Sequence, residues 1–238
     1  QLPLNTVLEE LGDSPYYRDV IAHEKYDDFW SSYSLRDKYD EVEVPSYFIT
    51  GWYDSLLHET ITVFNGWQAN ARNVEAREKT KLLIGPWSHQ VSPWGKAQLG
   101  SNGEFEDRAF GPDAPGDAVA EHLRWYDTRL KGIDNGMDDE PPIKLFVMGA
   151  NEWRFENEWP LARTQWTDFH MGADGGLSAE ASDAEGAISF DYDPNDPVPS
   201  WGAQYQSMDL TGPRDRSEIR RVMTCWSSRL MYWKKASK

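Results

Sequence analysis

Two brief apolar runs, Tyr47-Phe48-Ile49-Thr50 and Leu82-Leu83-Ile84, stand on either side of a stretch whose hydrophobic positions recur at helical spacing. Short and rich in branched side chains, they predict two strands of a buried parallel sheet. Between them Leu57, Ile61, Phe64, Trp67 and Ala71 share one face of a helix predicted from about Leu56 to Asn73. Strand, helix and strand make a parallel βαβ unit. A right-handed crossover then sets the strands' carboxyl ends side by side or one strand apart.

Upstream, residues 1–44 read as helical and irregular, with Tyr26, Phe29, Trp30 and Tyr33 on one face and a break at Val44-Pro45. That aromatic face is exposed unless something covers it, so the segment reads as the end of a helical layer begun earlier. Downstream, Gln90 to Gly116 is expected to be a long surface loop. An amphipathic helix follows from Asp117 to about Lys131, its stripe Val119, Leu123, Tyr126 and Leu130, stopped by Gly132. Asp138-Asp139-Glu140-Pro141-Pro142 reads as an interdomain linker, acidic and proline-rich. Beyond it, Ile143 to Met148, Trp166 to Met171 and Ala187 to Tyr192 are strand-like and spaced by turn residues, the pattern of an all-β sandwich.

Composition narrows the function classes. At 39% hydrophobic residues the chain can build a core. Twelve Trp, eleven Tyr and nine Phe serve that core before they serve any aromatic ligand site. A net charge of −16 disfavours nucleic acid and anionic membranes, both polyanions that a binder must neutralise. The sequence shows no apolar stretch of membrane-spanning length and no signal-peptide pattern. Its lone Cys225 cannot form an internal disulfide, and the compartment stays unknown.

The candidate chemistry sits where the two strands end, in Gly51-Trp52-Tyr53-Asp54 and Gly85-Pro86-Trp87-Ser88-His89. Open α/β sheets gather ligands and reacting groups outside the carboxyl ends of their strands. Asp54 and His89 are therefore a candidate acid and base. Asp54 could also cap the helix that follows, or pair with His58 four residues on, and His89 could be an ordinary loop histidine. Leu56 and Leu57 are candidate pocket residues, although helix leucines more often serve the core. His23, His58, His122 and His170 lie in no such motif. A Gly-x-Ser-x-Gly nucleophile elbow occurs nowhere in the 238 residues. Gly176-Leu177-Ser178-Ala179 comes near it but follows the His and lacks the final Gly. No cofactor or metal is expected: Asp191-Tyr192-Asp193-Pro194-Asn195 opens like a calcium loop, but Asp196 stands where that loop needs Gly and Gly202 where it needs Glu.

Taken in order, Tyr26-Asp27-Asp28-Phe29-Trp30, the two strand-end motifs, Arg124-Trp125-Tyr126-Asp127, Leu130-Lys131-Gly132, Phe146-Val147-Met148-Gly149, Glu152-Trp153-Arg154, Trp159-Pro160 and Asp193 to Pro199 resemble the X-Pro dipeptidyl-peptidase and cocaine esterase group of serine hydrolases. The resemblance implies a fold of α/β plus all-β type. Residues 1–44 would be the end of a helical cap, 45–137 the C-terminal part of an α/β-hydrolase domain, and 141–220 a partial jelly-roll. It implies Asp54 as triad acid and His89 as triad base. The nucleophilic Ser and the oxyanion-hole Tyr lie before the cap in that family and map to no residue here. The expectation is therefore a hydrolase of ester or X-Pro amide bonds, present as a portion that is inactive without its N-terminal partner portion. The alternatives are a non-catalytic binding module and one chain of a split hydrolase.

Residues 221–238 break the pattern, with no Asp or Glu and five basic residues. Back-translated and read one base earlier, Val222 to Trp226 can give Asp-Asp-Val-Leu, which the resemblance leads one to expect at this point. The tail is accordingly expected to be frame-shifted.

Overall fold

The computed structural model describes residues 12, 14–89, 104–105, 108–172, 176–181, 186–187, 189, 193–195, 197, 202, 211–215 and 229–230. The chain divides into two compact units, one of residues 1–46 and 62–80, the other of 47–61 and 81–238.

In the first unit, α1 (Pro15–Ala22) starts at Ser14, whose side chain accepts from the Tyr17 N–H, and Pro15 supplies a helix-ready φ at the first position. Asp27 caps α2 (Asp28–Tyr33) by accepting from Phe29 N at 3.0 Å and Trp30 N at 3.5 Å. Phe29 stacks on His23 and meets Trp30 and Tyr33 edge-on, whereas Tyr26 of the predicted face precedes the helix and donates to Asp37. Neither helix has a fully buried residue. The core of this unit lies instead around the later turns of α3 (Leu57–Asn70), where Phe64 and Trp67 are buried. Trp67 donates its indole N–H to Val44 O, and Gly66 lets the Tyr39 ring come so close that a Cβ there would lie 2.3 Å from it. A short α4 (Val74–Glu78), capped by Asn73, completes the unit.

The second unit is built on a four-stranded sheet of β1 (Tyr47–Tyr53), β2 (Lys81–Ser88), β5 (Ile143–Val147) and β6 (Glu152–Glu156), in spatial order β1-β2-β5-β6. The first three run parallel and the last antiparallel. Every residue of β2 is buried, as expected for an inner parallel strand. Between β2 and β5 lie the hairpin of β3 (Glu104–Phe105) with β4 (Arg108–Ala109), and α5 (Ala118–Lys131). Asp117 caps α5, and Gly132 ends it in the left-handed conformation at φ 67°. A small sheet of β7 (His170–Met171), β8 (Gly176–Ser178) and β9 (Arg229–Leu230) follows.

Four expectations are revised. The acidic, proline-rich stretch read as an interdomain linker leads into the same sheet: Ile143–Val147 pairs directly with β2, Leu82 N donates to Pro142 O, and the Lys81 ammonium donates to Glu140 O and Pro141 O. A segment whose carbonyls are so engaged is held against the strand. The stripe of α5 faces water, with Val119, Leu123, Tyr126 and Leu130 all exposed. The same helix buries Trp125 against Tyr47, and its Glu121 joins Lys144 at 2.6 Å and the Tyr47 hydroxyl at 3.2 Å. Desolvation first, then that carboxylate, pushes the Tyr47 phenol far above its usual range. The loop expected at the surface sends Phe110 and Ala114 into the core with Leu83, Trp87 and Phe146. Of Trp166 to Met171, only His170 and Met171 form a strand, and Trp166 is exposed.

Much of the segment read as a jelly-roll lies outside the described residues, as do Ile188 and Phe190 to Tyr192 of the strand expected there. Ala187 and Ser189 belong to no strand. Pro194 and Asn195 form a turn, with Asp193 accepting from Asn195 N. The tail is outside the described residues except for Arg229–Leu230, which pairs parallel with β8.

Candidate active site

Two glycines let the ends of β1 and β2 approach. Gly51 pairs with Gly85, and beyond them the register slips so that Tyr53 stands opposite Ser88. The additional residue on β2 is absorbed at Trp87, whose buried ring lies across both glycines. A Cβ on Gly51 would be 2.0 Å from Trp87 O, and one on Gly85 would be 2.3 Å from the Trp87 indole. Trp87 donates its ring N–H to Thr50 O at 3.0 Å, and Trp52 donates to Phe146 O at 2.7 Å. The tryptophans of both motifs are thus structural, setting how β1 meets β2 and β5.

Asp54 and His89 are the first residues past the two strands. The strands are neighbours, the closer of the two arrangements the crossover allows, and His89 Nδ1 lies 3.0 Å from Asp54 Oδ1. Asp54 is only 6% exposed. A carboxylate so withdrawn from water needs several donors. Besides the His89 ring, Leu56 N donates to Oδ1 at 2.8 Å and the Thr50 hydroxyl to Oδ2 at 3.1 Å. One Asp54 oxygen thus meets both the Leu56 N–H, just ahead of the helix, and the imidazole, so the two contacts do not exclude each other. The His89 side chain is 38% exposed, able to meet a reacting group from solvent.

A cavity of about 240 Å³ opens beside the pair, lined by Ile49, Thr50, Asp54, Leu56, Thr60, His89 and His122. Leu56 reaches it. Leu57 does not line it, and stands half-buried as the first residue of α3. His122, which no motif singled out, arrives from α5, and Thr50 and Thr60 add hydroxyls; no spacing in the chain marks these three. Burial pushes the phenol of the adjoining Tyr53 upward, partly offset by Arg108.

Of the serines next to the pair in the chain, Ser55 has its Oγ buried and Ser88 is 1% exposed within β2. Among the described residues no group of three or more His, Cys, Asp or Glu side chains could hold a metal ion, and no helix is long and apolar enough to cross a membrane.

Comparison with known proteins gives concordant results. The family profile for X-Pro dipeptidyl-peptidase (S15 family) matches residues 3–91, and that for the X-Pro dipeptidyl-peptidase C-terminal non-catalytic domain matches residues 135–222. The second match ends one residue past Arg221, where the acid-free tail begins. Cocaine esterase of a Rhodococcus species is 32% identical over 228 residues, covering 89% of this chain and 37% of that protein. A putative serine esterase of Mycobacterium bovis is 28% identical over 141 residues, 58% of this chain and 19% of its own length. Among solved structures, an aminopeptidase from a marine sediment archaeon superposes with a TM-score of 0.63 at 21% identity, over 90% of this chain and 33% of its own. A CocE/NonD family hydrolase of Staphylococcus aureus gives 0.50 at 17% identity, over 70% and 26%. This chain spans little more than a third of the length of the cocaine esterase it matches.

Proposed function

Because the chain belongs to the X-Pro dipeptidyl-peptidase and cocaine esterase family, we propose that it supplies the acid and base of a serine hydrolase, Asp54 and His89, acting on ester or X-Pro amide bonds. The observation that carries this is the 3.0 Å contact between His89 Nδ1 and a buried Asp54 carboxylate, made across the ends of adjacent parallel strands. A carboxylate so placed holds the imidazole in the Nδ1–H tautomer and stabilises the imidazolium that forms when Nε2 takes a proton from the serine hydroxyl. The serine oxygen then attacks the carbonyl, the leaving alcohol or amine takes the proton back from His89, and water repeats the sequence to release the acid.

The nucleophile, on this reading, is borne on a segment other than these 238 residues, which contain no Gly-x-Ser-x-Gly elbow. With it would come the N–H groups that stabilise the tetrahedral oxyanion. The 238 residues alone then turn over neither an aryl ester nor an X-Pro arylamide. Mixing with a nucleophile-bearing portion from a family member restores turnover. Hydrolysis by the isolated chain that a serine-directed phosphonate abolishes would show that the nucleophile is within it and overturn this part of the reading.

A further inference from the structure

We propose that Thr50 is a positioning residue for the acid: its hydroxyl fixes Asp54 Oδ2 so that Oδ1 is aimed at the His89 ring. This rests on the reading of Asp54 and His89 as an acid–base pair. An Asp carboxylate turns about χ2 in a broad, roughly two-fold well. One backbone donor on Oδ1, the Leu56 N–H, leaves that rotation only partly defined. A second donor on the other oxygen defines the plane of the group, and the Thr50 hydroxyl, 3.1 Å from Oδ2, is that donor.

Thr50 is well suited to hold its hydroxyl still. It is 1% exposed, its branched Cβ restricts χ1, and it pairs in register with Ile84 of β2. Its carbonyl accepts the Trp87 indole N–H at 3.0 Å. The contacts thus form a closed circuit between the two strand ends. Trp87 is bonded to Thr50, Thr50 to Asp54, and Asp54 to His89, which lies two residues beyond Trp87. A slip of one strand past the other would strain every link, so the circuit couples the strand register to the orientation of the imidazole. Thr50 also lines the cavity beside the pair. Without its hydroxyl, Oδ2 would turn toward whatever water entered there.

The test uses the full 238-residue chain with ¹⁵N-labelled histidine, reading the His89 tautomer from its ring nitrogen shifts and the solvent exchange of its Nδ1 proton. Thr50→Val keeps the shape and removes the donor; Thr50→Ser keeps the donor and removes the methyl. In Thr50→Val the Nδ1 proton should exchange about tenfold faster, the scale of one lost hydrogen bond to a charged group, with a smaller Nδ1–H fraction. Thr50→Ser should keep the parental signature. If Thr50→Val does not fold, as judged by circular dichroism, Thr50→Ala takes its place against Thr50→Ser. A folded donorless variant with the parental tautomer and exchange rate overturns the proposal. Asp54→Asn separates the two readings: if it abolishes the signature while Thr50→Val does not, the pair stands and Thr50 only packs. If Asp54→Asn leaves His89 unchanged, the acid–base reading itself fails.

Discussion

Of two histidine–aspartate contacts among the described residues, the shorter one is the less consequential. His23 Nδ1 lies 2.6 Å from Asp27 Oδ2, whereas His89 Nδ1 lies 3.0 Å from Asp54 Oδ1. The first joins residues four apart around the start of α2, with 37% and 43% of the two side chains exposed. Water and salt screen such a pair, and its net worth is small. The second joins residues 35 apart, and its carboxylate is almost out of water. It exists only because two strands, a bulge and a tryptophan place it, and its acid is bonded by Leu56 and Thr50 as well. Distance therefore ranks the two pairs wrongly, and burial with long-range origin ranks them in the order that chemistry needs.

The sharpest way to break this comparison is to remove one carboxylate charge from each pair. If Asp54 and His89 act as proposed, Asp54→Asn in the chain mixed with a nucleophile-bearing portion should lower kcat by about 10⁴-fold, because an amide in that place favours the wrong imidazole tautomer. Asp27→Asn should leave kcat unchanged, which steady-state assays with an aryl ester would check. Comparable losses in the two variants would mean that burial does not distinguish the pairs.

A second substitution attacks the scaffold. Gly51→Ala puts a methyl 2.0 Å from the Trp87 carbonyl oxygen, a backbone atom that can yield only by moving β2. Overpacking of this kind should cost about 3 kcal/mol, seen as a lower urea midpoint with unchanged slope. The His89 signature should accordingly be lost at a lower urea concentration than in the parent chain. An alanine variant of parental stability would show that the strand ends approach less rigidly than the register implies.

The regions that sequence made legible are those where one pattern carries one meaning. Short branched runs followed by Gly and an ionisable residue located both strand ends, and with them Asp54 and His89. The helix over Leu57–Asn70 and the stop at Gly132 were legible for the same reason. The face of α5 was not. Periodicity finds an apolar stripe but not the direction in which the protein lies, and here Glu121, Trp125 and Thr128 occupy the other side of the cylinder, with Trp125 buried and Val119, Leu123, Tyr126 and Leu130 in water. The pairing of Ile143–Val147 with β2 was hidden because acidic and proline-rich residues look alike in a linker and in a connection whose carbonyls are held by Lys81. Thr50 was hidden because a threonine within a strand is ordinary there. Only the chain's turn between Thr50 and Asp54 brings its hydroxyl to the carboxylate.

The smallest effect is at Asp27, and it tests whether the exposed pair has any electrostatic role beyond capping. The hydrogen bond from His23 is the main cause that lowers the Asp27 carboxyl below its usual range, with burial opposing and the N–H groups of Trp30 and Phe29 assisting. A carboxyl with a depressed folded value adds stability that is complete above its unfolded value, about 3.9, and lost as pH falls through the lower folded value. The His23 and Phe29 ring signals should therefore report loosening of α2 as the solution is acidified below about pH 3.9, and less so in 1 M salt, where the Debye length shrinks to about 3 Å. Asp27→Asn separates charge from cap, since Asn caps a helix about as well as Asp. In that variant the helix should persist and the acid loosening should vanish. If the variant loosens over the same pH range, the transition belongs to other carboxyls, and Asp27 acts at α2 through its hydrogen bonds to Phe29 and Trp30 alone.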